Sequence, residues 1–174
     1  MSSNLADNPY RVIVDDRLPG EKDVYMAYTP TTVQLAGSDT VWLAGTTALP
    51  LYHDHPHDPA DLAQLPPDSY SQTKLALAGV ERQLAAAGAT WTDLVRLNVY
   101  VAKMEENGPG VHRAITEVLG PHFPHPQGIG LPGGTMLGVD QLIDVGNLVE
   151  LEGVAVVPPE RRVAAVAEAA RATE

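Results

Sequence analysis

The chain has 174 residues, 44% of them apolar, which is enough for one domain with a substantial core and is not the composition of a disordered segment. It has no cysteine, which excludes disulfides, thiolate metal sites and cysteine nucleophiles, and its net charge of −11 repels phosphate backbones. No stretch reaches the ~20 apolar residues of a membrane span, and "MSSNLADNPYRVIVDD" lacks a signal-peptide core. The expectation is a cytoplasmic protein without nucleic-acid or membrane partners.

In chain order, "YRVIVDD" reads as a short strand. "DTVWLAG" (39–45) is a second, on the β-propensity of Val41, Trp42 and Leu43, with Trp42 expected in the core. Residues 46–68 form a long connection with five prolines, Pro50, Pro56, Pro59, Pro66 and Pro67. Loops of that length in compact domains are often functional. The clearest helix follows, capped by Asp68 or Ser69, with Leu77, Val80, Leu84 and Ala87 at helical spacing and Gly88 as its stop. "DLVRLNVYVA" alternates: Val95, Leu97, Val99 and Val101 on one face, Arg96, Asn98 and Tyr100 on the other. "GPGVHRAITEVLG" is a second helix, with Pro109 at its start, Val111, Ile115 and Val118 as its stripe, and Gly120 at its end. After the loop "PHFPHPQGIGLPGG" come two strands, "TMLGVDQLI" and "LVELEGVAVV". "PPERRVAAVAEAARATE" ends the chain as a helix expected to pack on the body. The layout is α+β: one domain over residues 1–160, two helices on one face of a mixed sheet, and a helical extension at 161–174.

The last strand places chemistry. Val149, Leu151, Gly153 and Ala155 share one face and suit packing under helices. Glu150, Glu152, Val154 and Val156 share the other. The valines predict that this face is also covered, by another subunit, and the carboxylates then need partners. Arg96 is the candidate, as a structural ion pair or as part of a site. Two neighbouring acids can have their pKa values pushed apart, so that one donates and one accepts a proton.

"LYHDHPHDP" (51–59) admits three readings. His53, His55 and His57 could hold a metal, with Asp54 or Asp58 assisting. One histidine, His53 or His55, could act as a general base or bind a ligand. The default is a solvated loop, with no metal. His122 and His125 form a second pair, and His112 on its helix reads as surface. "GIGLPGG" lacks the lysine and following helix of a phosphate loop.

"SQTKLALAGVERQLAAAGATWTDLVRLNVYVAKM", "LGVDQLIDVGNLVELEGVAVV" and "VWLAG" together resemble the RidA (YjgF-type) reactive intermediate deaminases, with the best match over residues 33–157. The resemblance implies a chorismate mutase-like βαββαβ fold and a homotrimer whose sheets form a central barrel, with clefts between subunits. It implies hydrolysis of enamines and imines, such as 2-aminoacrylate, to keto acids and ammonia without a cofactor. Glu150 falls on the family's site glutamate, which positions water, and Gly45 on the glycine whose backbone lines the cleft. The family's substrate-binding arginine belongs to a "PAR-S" motif; here the stretch is "PGGT", with Gly134 in the arginine's place and Thr135 after it. The tyrosine of "GPYSQ" is also absent, since the chain reads "TPTTVQ". The expected function is therefore a divergent enzyme acting on a small metabolite, with catalytic Glu150, His53 and His55 and a pocket bordered by Gly45, Gly134, Thr135, Glu152 and Arg96. The alternatives are a non-catalytic small-molecule-binding trimer and, against the charge, a ribonuclease.

Overall fold

The computed structural model describes residues 8–14, 28–29, 31–53, 55–125 and 128–171. Strands β1 (Arg11–Val14) and β2 (Thr31–Gln34) pair as an antiparallel two-stranded sheet. The main sheet holds β3 (Asp39–Thr46), β4 (Leu94–Ala102), β7 (Met136–Val139) and β8 (Val149–Val157) in the order β3-β8-β4-β7. β8 runs antiparallel to both neighbours, and β7 runs parallel to β4. A two-residue pair, β5 (Pro124–His125) and β6 (Gly128–Ile129), lies between.

Helices α2 (Ser69–Ala86) and α3 (Met104–Leu119) cover one face of the main sheet. The expected stripes bury there: Leu77, Val80 and Leu84 from α2, Val111 and Ile115 from α3, and Leu97, Val99, Val101, Val149, Leu151 and Ala155 from the strands. At about 1.5–3 kcal/mol for each large side chain taken from water, this cluster is the main stabilising contribution. α2 starts where Asp68 accepts from the Ser71 amide at 2.8 Å, and it stops before Gly88, whose φ of +74° suits glycine.

Several expectations are corrected. Around the two helices the order is β-α-β-α-β-β, with one strand between the helices, and not βαββαβ. α3 begins at Met104, so Pro109 lies inside the helix instead of opening it. There it lacks the amide that would bond the Glu105 carbonyl, while the first turn ahead of it closes through the Glu106 and Asn107 amides on the Lys103 carbonyl, at 3.0 and 3.1 Å. The strand expected over "TMLGVDQLI" stops at Val139, whose carbonyl accepts from Lys103 at 3.1 Å. A register shift between Leu94 and Arg96 turns Leu94, not Val95, into the core. Trp42 is 78% exposed on the uncovered face, and the buried tryptophan is Trp91 at 4%.

The C-terminal segment is tied down before α4 (Ala164–Arg171) begins. Arg161 grips the fully buried Asp93 through both terminal nitrogens, at 2.7 and 2.5 Å, and Arg162 grips Asp39 at 2.6 and 2.9 Å. Both of these adjacent arginines are thus engaged with acids. The short helix α1 (Pro59–Leu62) belongs to the long connection between β3 and α2. Among the described residues no helix is long and apolar enough to cross a membrane.

Candidate functional site

The uncovered face of the main sheet carries the polar residues of β4 and β8. Register pairs Tyr100 with Glu150, Asn98 with Glu152 and Arg96 with Val154. Paired residues on adjacent strands share a face, so these six form three successive rungs. Trp42 of β3 and Leu137 of β7 extend the same face.

Glu150 sits beside Gly45. A Cβ built on Gly45 would lie 2.1 Å from Glu150 Oε1, so only glycine leaves the carboxylate its place. The approach depends on a bulge: between Leu43 and Thr46, β3 spends one residue more than β8. The bulge is held from α2, where Gln83 Oε1 accepts from the Ala44 amide at 3.1 Å and Gln83 Nε2 donates to Thr46 Oγ1 at 2.5 Å. Helix, bulge, glycine and carboxylate form one positioning chain.

The two acids differ electrostatically. Burial, and secondly the charge of Glu152, push Glu150 above the usual carboxylate range. Glu152 is held below it by hydrogen bonds from Asn98 Nδ2 and Tyr100 Oη, both 2.8 Å, with a smaller contribution from Arg96. Glu152 is the fixed anion. Glu150 has no hydrogen-bond donor among the described residues and is the group poised to exchange a proton.

Arg96 does not pair with either glutamate; its Nε donates to Asn98 Oδ1 at 3.1 Å. It borders an open groove of about 310 Å³ with Thr29, Thr32, Val95, Gly133, Gly134 and Val154. That groove is one end of the face and Glu150 the other. Val154 and Glu150 are four residues apart along β8, about 13 Å at strand rise. Arg96 and Gly134 thus sit together, apart from the Glu150–Gly45 pair. Thr135 is exposed, and its carbonyl accepts from the Val99 amide at 2.9 Å. Gly134 presses on β4: a Cβ there would lie 1.8 Å from the Leu97 carbonyl oxygen. Val156, expected to await another subunit, is already buried within the single chain, where Asn8 Nδ2 bonds its carbonyl at 2.6 Å.

His53, His55 and His57 gather into one cluster, joined by Asp144, which has no sequence signal of its own. Asp54 lies outside the described residues. Asp58 caps α1 instead, accepting from the Ala60 amide at 2.8 Å. In the chain the histidines follow the end of β3 and Asp144 precedes the start of β8, and those two strand ends meet at Thr46 and Leu151, next to Glu150. His122 is exposed, 6.4 Å from the Trp91 ring, and His112 is exposed on α3. His125 is in β5. Asn98 and Tyr100 were visible only as alternate polar residues of a strand, and Gln83 only as a helix residue.

Residues 25–157 match the family model described as Endoribonuclease L-PSP. Among solved structures, the chain resembles Rv2704 from Mycobacterium tuberculosis, a member of the YjgF/YER057c/UK114 family, at 27% identity and a TM-score of 0.52, over 84% of this chain and 99% of that one. YyfB from Yersinia pestis, of the Rid protein family, matches at 22% identity and a TM-score of 0.62, over 85% and 99%. E. coli TdcF with bound serine matches at 20% identity and a TM-score of 0.53, over 83% and 97%. No curated protein matches the chain. The extent of the family match, over most of a chain that folds as its relatives do, makes this protein a member of the Endoribonuclease L-PSP family, the YjgF/RidA family.

Proposed function

We propose that the chain is a cofactor-independent hydrolase of small imines or enamines, working as a homotrimer with its sites in the clefts between subunits. The observation that carries this reading is Glu150: partly buried, held against Gly45 by a stapled bulge, and raised in pKa beside a fixed anion. The reaction class is the one that the resemblance to the reactive intermediate deaminases implies. In the reaction, Glu150 takes a proton from water as the oxygen adds to the imine carbon. That proton passes to the imine nitrogen to give the carbinolamine, and Glu150 then carries the hydroxyl proton to the amine as the carbon–nitrogen bond breaks, releasing ammonia and leaving the carbonyl. Glu152 keeps its charge and strengthens Glu150 as a base.

The trimer is supported by the uncovered face, where Trp42 is 78% and Leu137 43% exposed beside Val154. A small polar substrate is in keeping with the serine bound in TdcF. The test is hydrolysis of freshly generated 2-aminoacrylate, followed as pyruvate release, with Glu150→Gln alongside. Release that disappears in the variant supports the proposal; release at the wild-type rate overturns it.

One observation favours a second reading, a trimer that binds a metabolite without turning it over. Gly134 stands where the family's arginine grips the substrate carboxylate, and glycine cannot supply a bidentate guanidinium fork. A ligand that binds tightly and is recovered unchanged would support it. RNA is disfavoured as substrate by the net charge of −11 and by the engagement of Arg161 and Arg162 with Asp93 and Asp39.

A further inference from the structure

We propose that His53, His55 and His57 bind one divalent first-row transition-metal ion of zinc's class, with the Asp144 carboxylate orienting the His57 ring. Each pair of rings has its centroids 4.6 Å apart, so the three form an even triangle. One ligand nitrogen from each lies within 4.8 Å of the others. A cation bound at about 2.0–2.1 Å to each nitrogen sets them about 3.3 Å apart in tetrahedral geometry, so the His53 and His57 nitrogens part slightly from 2.8 Å, a change within reach of side-chain rotation.

A second observation points independently to a cation. His57 Nδ1 bonds the Asp144 carboxylate, and His53 Nδ1 bonds the Pro50 carbonyl at 2.6 Å. Both partners are acceptors, so both Nδ1 atoms carry the proton. Each Nε2 is then left with its lone pair, and the two Nε2 atoms face each other at 2.8 Å. Two lone pairs so placed repel unless a shared proton or a metal ion lies between them, and the third ring beside them favours the metal ion. A carboxylate or carbonyl on the distal ring nitrogen is also the arrangement that orients metal-bound histidines and raises their basicity.

The support behind the cluster is built into the fold. The His57 side chain is 9% exposed. Asp144 sits in a turn where the Asn147 amide donates to its carbonyl at 3.1 Å. The next residues are fastened by the buried Gln72, which donates to the Gly146 and Pro66 carbonyls and accepts from the Leu148 amide. The Asp144 loop and the histidine loop are thus both anchored to α2. His55 is exposed and bonds to nothing among the described residues, leaving its ring free to complete the set. Three imidazoles suit zinc, cobalt, nickel or copper over calcium or magnesium, and they leave a fourth position on the solvent side.

The test uses the untagged full chain, stripped with chelator and titrated with Zn²⁺ by calorimetry and with Co²⁺ by its visible absorption. Expected is one equivalent per chain. His53→Ala, His55→Ala and His57→Ala each remove stoichiometric binding. Asp144→Asn, nearly isosteric, weakens it 10–100-fold. His122→Ala binds as wild type. Melting curves in chelator identify any variant that fails to fold; His55→Ala, altering an exposed ring, then decides the matter. Absence of saturable binding, or binding that survives the loop substitutions, overturns the proposal. None of these readouts involves imine hydrolysis, so failure here and failure of the Glu150 reading are separate results.

Discussion

Gly45→Ala separates the placing of Glu150 from the folding of the chain. The added methyl would stand 2.1 Å from Glu150 Oε1 and 3.2 Å from its Cδ, whereas ordinary contact begins at 3.4 Å. The carboxylate must therefore retreat by about 1.3 Å. It is the end of a side chain and can swing aside at about 0.5–1.5 kcal/mol for an off-rotamer angle, so the fold survives. At the scale of 10²-fold for each ångström of misplacement, kcat/KM for 2-aminoacrylate falls about 100-fold or more. The assay is pyruvate release, paired with a thermal melt. Since 1 kcal/mol moves Tm by about 2–4 °C in a chain of this size, the melt should drop by only a few degrees. Wild-type activity in a well-folded Gly45→Ala protein would refute the claim that Glu150 must lie where this glycine lets it lie.

Because Glu150 is raised above the ordinary carboxylate range in the folded chain, its ionisation opposes folding as pH climbs from the unfolded value through the folded one. Glu150→Gln should therefore melt higher than wild type at neutral pH and lose that advantage below the ordinary carboxylate range; a pH series of melts checks this. Glu152→Gln removes the smaller, electrostatic part of the rise and leaves the larger part due to burial, so the acid limb of kcat/KM should move to lower pH without reaching an unperturbed carboxylate. Asp93→Ala strips the partner from Arg161, Asn8 Nδ2 and the Thr90 amide around a site with no solvent exposure. It should cost about 3–5 kcal/mol, read as a fall in the urea midpoint.

The parts of the fold that the sequence announces are those written in a period. The stripes of α2 and α3 and the alternation of β4 and β8 follow from spacing alone, and they place Glu150 and Glu152 on the uncovered face. What escaped depends on exceptions to the period. The shift at Leu94 exchanges one valine for a leucine in the core, and the bulge at Ala44–Gly45 is held by a glutamine 39 residues away in sequence. Trp42 looked like core because its type is apolar, yet its strand position put it on the open face. Asp144 joins the histidines across 87 residues of chain, and no local pattern marks it. The histidine loop itself was conspicuous, but only geometry brings its three rings together and turns two Nε2 atoms toward each other.

The resemblance implies an arginine where Gly134 stands, and raises the question of whether Gly134→Arg would create the carboxylate grip that it implies. The backbone argues that it would not. The Cβ of any residue at 134 would lie 1.8 Å from the Leu97 carbonyl oxygen and 2.7 Å from its carbon. Unlike Glu150 at position 45, these are backbone atoms of a central strand and cannot swing away. The Leu97 residue is also fixed by the bond from its amide to the Gly133 carbonyl at 2.9 Å. Arginine there must push the 133–139 segment off β4, breaking the parallel pairing that begins at Val99–Met136. Forced overpacking of this kind costs about 1–3 kcal/mol or more, which corresponds to a drop in Tm of roughly 2–12 °C. The expected variant melts lower and gains nothing in kcat/KM on 2-aminoacrylate. A variant with unchanged Tm and increased kcat/KM would show that the segment can move aside and that the backbone at position 134 accepts a side chain.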